Sequence, residues 1–146
     1  MQFKTERNIM WGDLDALGIV FYPRYSEWFD SNVHQFFIAA GVSQMESLQQ
    51  QGLIFGLVET NCQFHHPGRY DDRITIATHL TAIGSKTLDL AHRIVSEQTQ
   101  TLMVTSTERR ICLKVSDVNT LRAAVIPQAV RHRLEACLES PASHPS

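Results

Sequence analysis

From Pro23 onward the chain carries an apolar stripe too bulky to leave in water, and that stripe limits the folds open to it. Tyr25, Trp28, Phe29, Val33, Phe36, Phe37 and Ala40 recur at steps of three and four residues, the period of one helix face. Pro23 suits the first helical turn, where an N–H has no partner anyway, and Gly41 suits the position just past the end. The spacing predicts a helix of about five turns. One helix with so many aromatic side chains needs a large apolar partner surface.

The remaining sequence supplies strands. Phe3, Thr5, Arg7, Ile9 and Trp11 alternate with polar residues and predict a first strand from Phe3 to Trp11,. A short polar helical piece is expected over Val42 to Gln51. Strand patterns then follow at Val58, Thr60, Cys62 and Phe64, at Ile74, Ile76, Thr78 and Leu80, and at Leu88, Leu90, His92 and Ile94. Met103, Thr105, Thr107, Arg109, Ile111, Leu113 and Val115 read as one face of a last strand. Pro67-Gly68, Gly84-Ser85 and a polar break around Glu97 to Gln100 separate these runs,.

Short turns make neighbouring strands antiparallel. The expected class is α+β, an antiparallel sheet of about five strands wrapped around one long central helix. An amphipathic segment opens at Pro127, with Val130, Leu134, Cys137 and Leu138 on one side. Residues 1–140 are expected to form a single domain, and residues 141–146 a disordered tail.

The formal net charge is −2, without the basic surplus of a nucleic-acid binder. The N-terminus lacks the apolar core of a secretion signal, and no window approaches a membrane span of roughly 18 apolar residues. Cys62, Cys112 and Cys137 are an odd count without metal-type spacing, as in reduced thiols of a cytoplasmic protein. His65 and His66 are adjacent, so on a strand they point to opposite faces and make a poor metal pair. Asp13 and Asp15 lack matching histidine ligands. No metal site is expected from these residues.

The segment between the first strand and the helix, G12-D-L-D-A-L-G-I-V-F-Y-P-R-Y25, resembles the signature of the 4-hydroxybenzoyl-CoA thioesterase family. Asp15, Gly18, Ile19, Val20, Phe21 and Tyr22 match its pattern, and Pro23 and Tyr25 continue in register. Trp28-Phe29-Asp30 and Tyr70-Asp71-Asp72 extend the similarity, which covers most of the chain to about Val115. The resemblance implies the hotdog fold and hydrolysis of acyl-CoA thioesters without a cofactor. It also implies a homodimer or homotetramer with active sites at the subunit interface.

Asp15 is the catalytic carboxylate that the resemblance implies, because it alone has Gly18 three positions on. Thioester hydrolysis needs a nucleophile driven onto the carbonyl carbon and a donor for the developing oxyanion. A carboxylate serves the first need as general base or as nucleophile, and both routes stay open. Free N–H groups at a helix start serve the second. Pro23 has none, so the Tyr22 backbone N–H is the expected donor. Gly18 is expected to let the thioester approach the backbone closely. By itself, an aspartate ahead of a helix is an ordinary turn or cap acid. The surrounding match favours catalysis.

Val20, Phe21 and Tyr25 are expected to contact substrate as part of the same run. Asp30 matches the acid that approaches the aromatic hydroxyl in 4-hydroxybenzoyl-CoA thioesterases, although thioesterases with aliphatic substrates also tend to carry an acid there. Lys86 follows a Gly-Ser turn where the family often places a cation for the CoA phosphates. Arg69, Arg110 and Lys114 are further candidates. An aromatic acyl-CoA is the expected substrate and a short aliphatic one the runner-up. A hotdog dehydratase would need a histidine, which the segment from Asp15 to Tyr25 lacks. A non-catalytic acyl-CoA-binding hotdog domain would not need the carboxylate.

Overall fold

The computed structural model describes residues 1–117 and 120–138; the expected tail at 141–146 lies outside them. β1 (Gln2–Asn8) leads through a short 3-10 turn (Trp11–Asp13) and a loop into α1 (Pro23–Ala39). After α2 (Gln44–Gln51) come β2 (Leu53–Phe64), β3 (Arg73–Ile83), β4 (Thr87–Ser96), β5 (Leu102–Asp117), β6 (Thr120–Ala123) and α3 (Gln128–Glu135). The sheet is antiparallel in the order β1-β3-β4-β5-β2, and β6 pairs with β5 beyond the end of β4.

The apolar stripe does form one helix packed on the sheet. Its end is a Schellman motif: Gly41 N–H donates to Ile38 O at 3.0 Å, and Val42 N–H reaches back to Phe37 O at 2.9 Å,. Gly41 takes the left-handed φ of 80° this closure requires. Val42 is buried behind it. Ser43 caps α2 by accepting from Glu46 N–H,, so that helix begins two residues later than Val42.

The path β1-β3-β4-β5-β2 is the expected sheet of about five strands, and the short β6 joins it through β5. Three readings of the strands are corrected. Trp11 belongs to the 3-10 turn and is 76% exposed, because the chain leaves the sheet after Asn8. β2 starts at Leu53, and a register shift between Leu57 and Glu59 breaks its alternation. In β5 the inward positions are Val104, Ser106, Glu108, Arg110 and Cys112, all buried, the opposite phase from Thr105, Thr107 and Arg109.

That inverted phase belongs to an unusual core. One apolar cluster holds Ile9, Val20, Tyr25, Trp28, Phe29, Ile74, Ile76 and Ile94. A second holds Val33, Phe36, Phe37, Leu80, Leu88, Leu90, Cys112 and Leu134. Between them lies a buried polar layer of Asn32, Thr78, His92, Glu108 and Arg110.

Candidate active site

The loop ahead of α1 is a miniature hairpin. Asp15 N–H donates to Ile19 O at 2.9 Å, and Phe21 N–H to Asp13 O at 2.8 Å. Its tip is a turn closed by Gly18 N–H on Asp15 O at 3.0 Å. Gly18 has φ 76°, and a Cβ there would meet no atom within 4 Å. Backbone conformation therefore calls for the glycine, and the space beside it is open. Asp15 is exposed at the tip, with Oδ1 accepting from Leu17 N–H at 2.8 Å. Asp13 is held differently: its Oδ2 accepts from Met10 N–H at 2.8 Å and from Arg7 Nη2 at 3.3 Å. Asp13 stabilises the 3-10 turn.

The hairpin is pinned to the turn after β2, since Val20 N–H donates to Gly68 O at 2.9 Å. Gly68 N–H in turn reaches the Tyr25 hydroxyl at 3.3 Å. Burial pushes the Tyr25 hydroxyl pKa up, more than the Gly68 hydrogen bond lowers it, so it stays a neutral phenol near neutral pH. Val20 and Tyr25 are each only 4% exposed. They form the floor of a cleft of ≈ 230 Å³ walled by Ile19, Tyr22, Phe64, His65, His66 and Gly68. Phe21, half exposed, leans on the Tyr22 ring from outside that cleft.

At the helix start most donors are already used. Arg24 N–H donates to Phe21 O at 2.9 Å and Tyr25 N–H to Tyr22 O at 3.2 Å. Pro23 has no N–H. The Tyr22 N–H makes no hydrogen bond among the described residues, and it sits on the opposite arm of the hairpin from Asp15.

Asp30 lies a little over two turns along α1, with its side chain 56% exposed. Arg110 Nη2 donates to its Oδ1 at 2.8 Å, and His34 Nε2 lies 3.5 Å from Oδ2. Arg110 is thus no candidate for CoA phosphates: its side chain is 5% exposed and both sides of its guanidinium are occupied. Lys114 caps the end of α2 at Gln51 O. Arg69 is exposed, and its backbone N–H, not its guanidinium, engages Asp72 at 2.9 Å. Lys86 is exposed in the β3–β4 turn, at the Ile83–Leu88 end of the sheet. The Asp15 loop leaves the opposite end, where Asn8 pairs with Arg73. One protomer does not bring Lys86 and Asp15 together.

The polar layer behind Asp30 escaped the sequence reading as a unit. Thr5 Oγ1 donates to Asn32 Oδ1 at 2.7 Å, and Asn32 Nδ2 donates to Thr78 Oγ1 at 2.8 Å. Thr78 Oγ1 and His92 Nδ1 share a hydrogen bond at 2.7 Å. His92 Nε2 pairs with Glu108 Oε1, and Arg110 Nε–H donates to Glu108 Oε2. Both ring nitrogens of His92 are thus engaged, Nδ1 by Thr78 and Nε2 by Glu108. Phe29 stacks on the imidazole with centroids 4.7 Å apart. The His92 and Glu108 side chains are 0% and 5% exposed, so the pair is shielded from solvent. The one signal available in sequence was a row of polar residues at even positions of β5.

An antiparallel sheet wrapped around a single buried helix, with an exposed carboxylate and a free N–H where loop meets helix, defines a hotdog-fold hydrolase. Residues 9–134 match the family model of the thioesterase-like superfamily. A 4-hydroxybenzoyl-CoA thioesterase from Pseudomonas sp. (strain CBS-3) is 29% identical over 128 residues, 84% of this chain and 89% of that protein. A solved 4-hydroxybenzoyl-CoA thioesterase mutant complexed with 4-hydroxybenzoyl-CoA superposes with a TM-score of 0.84 at 25% identity, covering 91% of this chain and 98% of that one. A gentisyl-coenzyme A thioesterase superposes with a TM-score of 0.75 at 29% identity, covering 88% and 98%. The chain belongs to the thioesterase-like superfamily. It is a thioester hydrolase.

Proposed function

We propose that the chain hydrolyses an aromatic acyl-CoA carrying a ring hydroxyl, with Asp15 as the catalytic carboxylate and the Tyr22 N–H as oxyanion donor. The observation that carries this reading is the unused Tyr22 N–H, on the same short hairpin as the exposed Asp15 carboxylate. The thioester carbonyl oxygen accepts from Tyr22 N–H as the carbonyl carbon becomes tetrahedral. A donor so placed is worth ~2.7–4 kcal/mol in the transition state. Asp15 either takes the proton of an attacking water or attacks the carbonyl carbon itself, forming an anhydride that water then opens. On both routes the carbon–sulfur bond breaks, the sulfur leaves as CoA thiol after protonation, and the acyl group leaves as a carboxylic acid.

Asp30 supports the aromatic substrate. It lies about 12 Å beyond Tyr22 along the helix axis. A para-hydroxybenzoyl thioester with a hydrogen bond at each end spans about that distance. Relatives named for 4-hydroxybenzoyl-CoA and gentisyl-CoA favour the same class. Val20, Phe21 and Tyr25 shape the neighbouring wall, and Gly18 leaves room at the hairpin tip.

Lys86 holds the CoA phosphates, in this reading, of a substrate bound to a second protomer. β2 is an uncovered sheet edge with Leu57 and Val58 more than half exposed, the kind of edge that pairs with another copy. A two-fold axis at that edge would reverse the strands and carry the partner's β3–β4 turn toward Asp15, making the working unit a homodimer or homotetramer.

The test is free-thiol release from 4-hydroxybenzoyl-, benzoyl-, phenylacetyl-, butyryl- and palmitoyl-CoA. Fastest cleavage of an aromatic ester is expected. Faster butyryl-CoA turnover would move the assignment to short aliphatic substrates. Binding of CoA esters without cleavage of any would make this an acyl-CoA-binding protein.

A further inference from the structure

The polar layer between the two core clusters has one exposed end, and that end is Asp30. We propose that Arg110 is a positioning residue for substrate discrimination, fixing the Asp30 carboxylate so that it accepts a hydrogen bond from a hydroxyl on the acyl group. The buried chain Asn32–Thr78–His92–Glu108 fixes Arg110 in its turn. The inference rests on the aromatic-thioesterase reading above.

Burying this much charge is a poor way to gain stability. A buried ion pair is commonly replaced by apolar residues of equal volume at no cost, and apolar clusters lie on both sides here. What the pair supplies is direction. A guanidinium presents donors in a rigid plane. Arg110 directs Nε at Glu108 Oε2 and Nη2 at Asp30 Oδ1. Glu108 is not free to turn, since His92 holds its other oxygen. Nor is His92, clamped between Thr78 and the Phe29 ring.

The charges reach the same conclusion. One guanidinium, Arg110, stands between two carboxylates, Glu108 at its Nε and Asp30 at its Nη2, and only Asp30 is exposed. Its carboxylate therefore stands at the exposed end as an oriented anion. Unused lone pairs on it suit an acyl group that bears a donor, as a phenol does. A ring without the hydroxyl gains nothing there and leaves the carboxylate less well solvated.

The experiment compares kcat/KM for 4-hydroxybenzoyl-CoA with that for benzoyl-CoA, in the wild type and in Arg110→Met, Arg110→Lys and Asp30→Asn. Arg110→Met is expected to lower the ratio about tenfold, the worth of one charge-assisted hydrogen bond, with most of the loss in KM for the hydroxylated ester. Arg110→Lys should recover part of it. In the Asp30→Asn background, Arg110→Met should lower the ratio no further. Arg110→Met strands the Glu108 charge and can fail to fold, so the charge-balanced pair Glu108→Gln/Arg110→Met is measured beside it.

An unchanged ratio in either folded variant overturns the proposal. So does an equal loss on both esters, which marks a structural role alone. A wild type that cleaves both esters without preference also overturns it while leaving the thioesterase reading intact. A wild type that cleaves neither removes that reading, and this proposal with it.

Discussion

The Tyr25 hydroxyl sits 3.3 Å from Gly68 N, and a Cβ on Gly68 would lie 2.9 Å from that oxygen. The same Cβ would lie 2.7 Å from Ile9 Cδ1 and 3.0 Å from Val20 Cγ2. Three well-packed side chains thus converge on a position that admits only hydrogen. Gly68 also carries the carbonyl that accepts from Val20 N–H, so displacing it shifts the hairpin that carries Asp15. Gly68→Ala should cost about 1–3 kcal/mol as overpacking and lower kcat together with the thermal midpoint. Tyr25→Phe relieves no clash but leaves the buried Gly68 N–H unpaired, at about 1 kcal/mol. If Gly68→Ala unfolds at the wild-type temperature with normal turnover, the turn does not position the hairpin.

Asp15→Asn separates chemistry from folding because the structural task of Asp15 survives the change. The amide oxygen of asparagine accepts from Leu17 N–H as the carboxylate does, and asparagine suits this turn equally well. What is lost is the proposed base or nucleophile. Turnover should fall by about 10²–10⁴-fold, with the thermal midpoint of unfolding close to that of the wild type. Activity within threefold of wild type would take Asp15 out of the mechanism.

How legible each part was depends on which force wrote it. α1 could be read because its burial is apolar: Phe36 and Phe37 are 0% exposed, and hydropathy reports burial there faithfully. β3 and β4 kept their phase for the same reason, through Ile74, Leu80, Leu88 and Leu90. β5 inverted because its inward face carries Glu108 and Arg110, whose burial is balanced by pairing and not by hydrophobicity. The hairpin residues of the site were visible as a motif, but the conformational need at Gly18 and the pinning by Gly68 depend on through-space contacts. Asp30 was visible as an acid on the helix; Arg110 was visible only as a candidate cation for the CoA phosphates, and its pairing with Asp30 was hidden because it is far along the chain and on the side of β5 that hydropathy had assigned outward.

Glu108 gives the folded chain an acid-sensitive component. Burial alone would raise its carboxyl, but the His92 hydrogen bond and the Arg110 charge outweigh it, and the pKa lies below the ordinary carboxylate value. A group that titrates lower when folded contributes its full stability above the unfolded pKa of about 4.3 and loses it as pH falls through the folded value. The thermal midpoint of the wild type should therefore drop from about pH 5 to about pH 3 more steeply than that of Glu108→Gln. The variant starts lower, with Arg110 left to Asp30 alone, and has no carboxyl left to protonate at this position. Parallel pH profiles would show that the layer does not contribute to acid sensitivity.

Lys86 tests whether the active site is shared. β3 spans Arg73–Ile83, roughly 30 Å, and separates the hairpin end of the sheet from the Lys86 turn. The arm of CoA does not bridge that length, so Lys86 can meet the phosphates only if a second protomer brings it. Lys86→Ala should raise KM for CoA esters more than it lowers kcat, because the contact is made equally in ground and transition states. Co-expression then gives a sharper result. Pairing an Asp15→Asn protomer with a Lys86→Ala protomer places both defects in one shared site and leaves the other with a wild-type Asp15 and a wild-type Lys86. Two poor variants should together recover low-KM turnover at about half the wild-type rate per dimer. If each site lies within one protomer, the mixture shows only the raised KM of Lys86→Ala. The CoA phosphates would then be held elsewhere on the same chain.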